Sequence, residues 1–391
     1  MTDAVVVGAG IAGLTTALCL SRIGVPTTLV ERRTGFTEVG AGLQLSPNAS
    51  RILIDLGLGA PLRRAGFEPA RVVVRRAASG REIGGVALGP FMRERFGAPY
   101  LVIARIDLQT ILLDAVRAQP NIRLLVGRSV EEVSAAPKPT ARLRTAAGAL
   151  EEIDADLIVG ADGVRSRVRA HMGDEREPAF NGYVAWRATV PREAVPRELA
   201  ADETGLWLGS GLHVVHYPIA GGRLLNIVAV ERRPEPVEGW SAPGDPAVIQ
   251  ALHARSAEPL RALIGLPRDW LLWSLLDLPA KAMSRGALAL VGDAAHPVLP
   301  FLAQGAALAV EDAAALAGAL QRADTVEAAL AAYAAARLPR ASRVQTAARR
   351  NGTIYHASAP LAFARDLVMG RRAPEAMTEA YAWLYGWRPA A

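Results

Sequence analysis

The strongest constraint on the fold lies within residues 4–31. The apolar run Ala4-Val5-Val6-Val7 stops at Gly8-Ala9-Gly10-Ile11-Ala12-Gly13. Leu14–Arg22 then carries apolar residues at helical spacing, and Thr27–Val30 forms a second short run that ends on Glu31. Four apolar residues bounded by glycine suit a strand buried on both faces, and Gly24 suits the end of a helix. In such a β-α-β unit each glycine has its own task. Gly8 makes the tight turn, Gly10 lets the backbone approach a pyrophosphate, and Gly13 lets helix and strand pack closely. The helix N-terminus adds amide donors and the positive end of its dipole. Glu31 is placed to accept hydrogen bonds from both ribose hydroxyls of an adenosine, and an acid there disfavours a 2′-phosphate. A glycine motif by itself is often only a turn. Strand, motif, helix, strand and acid in this order predict a dinucleotide site, with FAD and NAD both open.

Three later stretches narrow the choice. The first is Asp156-Leu157-Ile158-Val159-Gly160-Ala161-Asp162-Gly163, followed by Val164-Arg165-Ser166, an apolar strand running into an acidic turn. The second is Leu288-Ala289-Leu290-Val291-Gly292-Asp293-Ala294-Ala295-His296-Pro297, then Pro300 and Gln304-Gly305-Ala306, a strand, a loop and a helix start. The third is Arg105-Ile106-Asp107-Leu108-Gln109, which opens a helix with Asp107 as its cap. Together with the β-α-β unit these resemble the FAD-dependent single-component aromatic hydroxylases, of the salicylate and 3-hydroxybenzoate hydroxylase kind, over nearly the whole chain. The resemblance implies FAD as cofactor, NADH or NADPH as co-substrate, and a small aromatic substrate hydroxylated with O2 through a C4a-hydroperoxyflavin. It places Asp162 near the pyrophosphate, Asp293 on the ribityl hydroxyls and Arg105 on the flavin side. It also sets the amides of Gly305 and Ala306 against the flavin's N1–C2=O edge, where they stabilise reduced flavin. Gly8, Gly10, Ala12, Gly13, Glu31, Arg32 and Pro300 complete the expected cofactor contacts. The family often has Gly where Ala303 stands and Asn where Ala307 stands.

The implied fold class is α/β. A doubly wound, Rossmann-like FAD-binding domain is assembled from residues 1–80, 98–178 and 284–320. Short alternating stretches between 180 and 275 predict an inserted mixed-sheet substrate domain, and 321–391 is expected to be helical, with helices over Ala313–Leu338 and Arg343–Arg372. No second dinucleotide motif and no CxxC appear, which argues against a flavin disulfide reductase. The single cysteine, Cys19, excludes a disulfide within the chain and suits a buried helix position in a reducing cytoplasm. The N-terminus does not read as a signal peptide, and no segment reaches the roughly 18 unbroken apolar residues of a membrane span. The net charge of +6 is carried by scattered arginines rather than a basic stripe, so nucleic acid is not the expected partner. Anionic substrates and cofactors are the better use of that charge. Six dispersed histidines offer no metal-ligand spacing, and no metal is expected. The resemblance leaves monomer or homodimer open.

The segment Leu212-His213-Val214-Val215-His216-Tyr217-Pro218 is the candidate catalytic strand. At period two, His213, Val215 and Tyr217 share one face and His216 takes the other. In the hydroxybenzoate hydroxylases this region contacts the substrate phenol. His213 is therefore expected to draw off the phenolic proton, with Tyr217 orienting the ring, although a one-residue slip exchanges His213 for His216. Gln44 and Leu45, in Gly40-Ala41-Gly42-Leu43-Gln44-Leu45-Ser46-Pro47-Asn48, are candidates to line the substrate cavity. Gln304 is expected either to meet substrate or flavin or to cap the helix. His296 reads as structural, and His171, His253 and His356 have no supporting context. The expected activity is hydroxylation of a phenolic or hydroxypyridine carboxylate. The alternatives are the same chemistry on a larger polycyclic or urate-like heterocycle, or a non-catalytic flavin-binding sensor.

Overall fold

The computed structural model describes residues 2–36, 42–135, 138–239 and 241–390. The apolar runs pair into a six-stranded sheet. Ala4–Val7 lies between Leu157–Gly160 and Thr27–Glu31, parallel to both. Ile122–Val126 and Leu288–Leu290 extend the sheet in parallel, and Ser284–Arg285 forms an antiparallel edge. Every residue of Ala4–Val7 and Leu157–Gly160 is buried, which is why neither strand alternates polar with apolar. Helix Ile11–Arg22 packs along helix Gly305–Arg322 on this sheet. The result is the expected doubly wound architecture. A separate antiparallel meander of Arg128–Ser134, Thr140–Thr145 and Leu150–Asp154 completes this half.

The second half is an eight-stranded sheet. Its order is Ala242–Gly244, Trp270–Asp277, Ala179–Pro191, Leu224–Arg232, Leu212–Ile219, Thr204–Gly209, Arg71–Arg76 and Glu82–Ala87. One face is dry core, where Trp186, Trp207, Trp270, Val214 and Ile227 meet the helices Pro246–Leu252 and Glu258–Gly265. The other face carries Val215 and Tyr217 toward the dinucleotide-binding half. A two-stranded ribbon, Gly42–Leu45 with Leu101–Ala104, bridges the halves, and the Gly42 amide donates to Asn226 Oδ1 at 2.9 Å.

Two boundaries differ from the sequence-based expectation. Residues 71–80 do not end the first dinucleotide-binding piece. Arg71–Arg76 joins the larger sheet, parallel to Thr204–Gly209, a pairing too distant in sequence for any local pattern to signal. The Ala-rich helix also does not run through 313–338. It stops at Arg322, and the Thr325 hydroxyl caps a new helix, Val326–Tyr355, that continues through Pro339. Capping overrides the helical propensity of the alanines around it. Among the described residues no helix is long and apolar enough to cross a membrane.

Candidate active site

The glycine turn has the geometry its spacing demands. Gly8 sits at φ 103°, and a Cβ on Gly13 would lie 1.8 Å from the Gly8 carbonyl oxygen. A Cβ on Gly10 would meet nothing within 4 Å, so that side of the turn is open. No side chain caps the first turn of helix Ile11–Arg22, leaving its amides available to an anion. Glu31 is held in place at its strand end by the Ala9 amide at 2.8 Å and the Arg33 amide at 2.9 Å, with Arg32 exposed beside it. Ala12 packs under the second motif, 3.0 Å from where a Gly292 Cβ would stand.

The acidic turn caps its own short helix. Asp162 Oδ2 accepts from the amides of Arg167 and Val168 at 2.7 and 3.2 Å, while Oδ1 is buried without a partner. Burial holds this carboxyl above the usual range, against its hydrogen bonds. Asp293 is open to solvent, yet protein crowds it closely enough to raise its carboxyl too, against the pull of His296 and Arg105. Pro300 is exposed further along this loop, and Gly305 and Ala306 begin the helix beyond it. Ala303 adopts φ 54°, a region that favours glycine, which gives a physical reason for the family's glycine there. Arg105 opens helix Arg105–Arg117 behind an Ala104 N-cap that makes no side-chain bond, so Asp107 lies in the first turn and is not the cap. The Arg105 charge acts on both Asp293 and Arg187. The open Gly10 face, the uncapped helix start, the orphaned Asp162 oxygen and the crowded Asp293 together fit FAD.

Next to this loop lies a buried polar network. Asp312 accepts from Gly292, His296 and Arg337, and Glu311 accepts from Asn48, Arg337 and Arg340. Gln304 belongs to this network. Its amide donates to Ser46 Oγ at 3.0 Å and accepts from Asn48 at 3.1 Å, so Gln304 stands at the N-cap position of helix Gly305–Arg322 without its side chain making a capping bond. Leu45 is likewise fully buried in the core of the dinucleotide-binding half, because adjacent strand residues face opposite ways. Gln44 instead accepts from the Tyr100 hydroxyl and lies beside Tyr217. Gly40 and Ala41 lie outside the described residues.

On the large sheet, register places His213, Val215 and Tyr217 in one line, flanked across the next strand by Val230, Val228 and Asn226. Arg187 is paired with Val228 one strand further. His216 points the opposite way. A Cβ on Gly205 would lie 2.0 Å from its Nε2, and Trp207 packs beside it. Burial raises the Tyr217 phenol, with Arg187 pulling it down, and drives His213 well below its ordinary pKa. Sequence reasoning missed two donors here. Arg187 Nε and Asn226 Nδ2 are buried with no hydrogen-bond partner, and the Arg187 guanidinium stacks 4.8 Å from the Trp273 ring. A buried cation without an anion is costly, which makes Arg187 and Asn226 candidates to meet an anionic group. Among the described residues no cluster of three or more His, Cys, Asp or Glu is placed to hold a metal.

Residues 1–348 match a family model described as an FAD binding domain. A 3-hydroxybenzoate 6-hydroxylase of Klebsiella oxytoca is 32% identical over 399 residues, covering 98% of this chain and 96% of the relative. A 3-amino-4-hydroxybenzoate 2-monooxygenase of Streptomyces platensis is 38% identical, with coverage of 98% and 96%. Among solved structures, Klebsiella pneumoniae HpxO complexed with FAD and uric acid has a TM-score of 0.85 at 24% identity, covering 98% of this chain and 96% of that one. That last likeness is one of fold.

Proposed function

The chain belongs to the family of FAD-dependent aromatic hydroxylases, and on that premise we propose that it hydroxylates a phenolic or hydroxypyridine carboxylate with NAD(P)H and O2. The observation that carries the reading is the single sheet face that holds His213 and Tyr217 together with two unpartnered buried donors, Arg187 Nε and Asn226 Nδ2. A substrate carboxylate would satisfy both donors. The ring would then lie over Val215 and Val228, oriented by Tyr217, with its hydroxyl toward His213.

Bound FAD would supply the two-electron redox chemistry and the activation of oxygen. Gly8, Gly10, Gly13 and Glu31 would hold its adenosine and pyrophosphate, Asp293 its ribityl chain, and the Gly305 and Ala306 amides its carbonyl edge. The protein's own task is to make the ring carbon electron-rich. His213 accepts the phenolic proton, and the phenolate so formed enriches the ortho and para positions. The apolar floor excludes water from that exchange.

The test is oxidation of NADH and NADPH by FAD-loaded protein offered 3-hydroxybenzoate, 3-amino-4-hydroxybenzoate, 6-hydroxynicotinate or urate. Faster oxidation with a hydroxybenzoate or hydroxynicotinate, and a product heavier by one oxygen atom, is expected. Stimulation by urate alone, or by none of the four, overturns the reading.

A further inference from the structure

We infer that His356 is a positioning residue for His213: it fixes His213 as the Nδ1–H tautomer and so leaves Nε2 as the bare nitrogen available to a substrate proton. The inference rests on the base role proposed above for His213. His356 is the C-cap of helix Val326–Tyr355 and belongs to no recognised motif.

The tautomers follow from donors and acceptors. His356 Nδ1 lies 2.8 Å from the Gly352 carbonyl oxygen, which can only accept, so Nδ1 carries the hydrogen. A neutral imidazole has one N–H, hence His356 Nε2 is bare. That nitrogen lies 2.8 Å from His213 Nδ1, which must donate to it. The remaining nitrogen of His213, Nε2, is then a lone pair, and it has no hydrogen-bond partner among the described residues. Both rings are neutral near pH 7. Burial lowers His356 to about 4 against the Gly352 bond, with Arg232 lowering it further, and burial followed by His356 lowers His213.

The surroundings hold both ring planes. Tyr183, from the strand Ala179–Pro191, stacks on His356 with centroids 4.5 Å apart. Phe301 and Tyr355 stand edge-on to His213 at 5.7 and 5.5 Å. Without an acceptor beside Nδ1, His213 would be free to carry its hydrogen on Nε2, and it would meet the phenol as a donor. With His356 in place, the phenol O–H bond breaks, its proton binds His213 Nε2, and the electron pair stays on oxygen. The imidazolium keeps donating from Nδ1 to His356, and no redox partner is involved.

The tautomer is read directly by NMR of FAD-loaded protein labelled with 15N-histidine. The wild type and His356→Gln, whose amide oxygen can accept in place of Nε2, should show His213 as Nδ1–H. His356→Phe keeps the stack on Tyr183 but offers no acceptor, and should lose that form. With 3-hydroxybenzoate as probe, kcat for stimulated NAD(P)H oxidation should fall about 10- to 100-fold in His356→Phe, with the activity limb moved along pH, and recover in His356→Gln. An unchanged His213 tautomer in His356→Phe overturns the inference. So does wild-type turnover in His356→Phe alongside an inactive His213→Ala. Full turnover in His213→Ala would instead defeat the base assignment, and the NMR result, which needs no turnover, would still decide what His356 does.

Discussion

His296 Nε2 lies 2.6 Å from Asp312 Oδ2, both side chains sealed from solvent, and the contact latches the loop after Leu288–Leu290 to helix Gly305–Arg322. Burial by itself lowers the His296 pKa, but Asp312 outweighs it and the ring ends above its ordinary value. Burial raises Asp312, yet His296 and Arg337 together bring it below its ordinary value. The histidine therefore stabilises the fold fully below an unfolded pKa of about 6.5, and that contribution fades as pH climbs through the folded value. The aspartate contributes above an unfolded pKa of about 3.9, and its share is lost as pH falls through the folded value. Thermal melts should thus show His296→Gln losing most Tm against wild type near pH 5 to 6, with the gap narrowing toward pH 9. A gap that does not change with pH would contradict this assignment.

Gly10 and Gly13 should separate cofactor binding from folding. A Cβ on Gly13 collides with the Gly8 carbonyl, whereas one on Gly10 meets no protein atom. Gly13→Ala should cost at least the about 1–3 kcal/mol of overpacking, seen as a lower Tm even without FAD. Gly10→Ala should leave the Tm of the FAD-free protein unchanged and weaken FAD binding by roughly tenfold or more, because the methyl occupies the pyrophosphate's approach. Equal effects of the two changes on the FAD-free melt would refute this division.

Arg187→Met keeps an unbranched apolar stem while removing the charge and the guanidinium that stacks on Trp273. Loss of a charge-assisted hydrogen bond is worth about 1.5–3 kcal/mol, or roughly 10- to 100-fold in affinity. Titration of the FAD-loaded variant should show that loss for 3-hydroxybenzoate and little change for 3-hydroxybenzamide. Equal weakening of both ligands would mean that Arg187 does not read the carboxylate.

His216 offers a control on the opposite face. Both of its ring nitrogens are buried without a partner, and burial followed by Arg75 lowers its pKa to about 3. His216→Leu removes an unsatisfied polar group, so Tm should hold or rise by the equivalent of about 1 kcal/mol. Stimulated NAD(P)H oxidation should stay within about twofold of wild type. A collapse of kcat in this variant would mean that the two faces of the strand have been exchanged.

The parts legible in the sequence are those encoded over short spans. Residues 4–31 carry the turn, helix and acid of the dinucleotide unit within one local pattern, and period two alone separates His213 from His216. What stayed hidden depends on pairing across the chain. Arg187 is an ordinary residue of an alternating stretch until sheet register brings it beside Val228. His356 gains its role from a contact 143 residues away. The side-chain partners of Gln304, Ser46 and Asn48, lie on another element and have no local signature. Leu45 was misplaced by a single step of strand alternation.

The order of the six-stranded sheet also shapes how the chain matures during synthesis. Ala4–Val7 needs Leu157–Gly160 on one flank, and that strand needs Leu288–Leu290 in turn. At about 5–20 residues per second, the ribosome needs roughly 15–60 s to supply the last of them. Until then the turn at Gly8 to Gly13 lacks its finished walls and the loop that carries Asp293. FAD capture is thus expected to be a late event in biogenesis, and a chain halted before residue 290 would expose apolar strand edges that chaperones recognise.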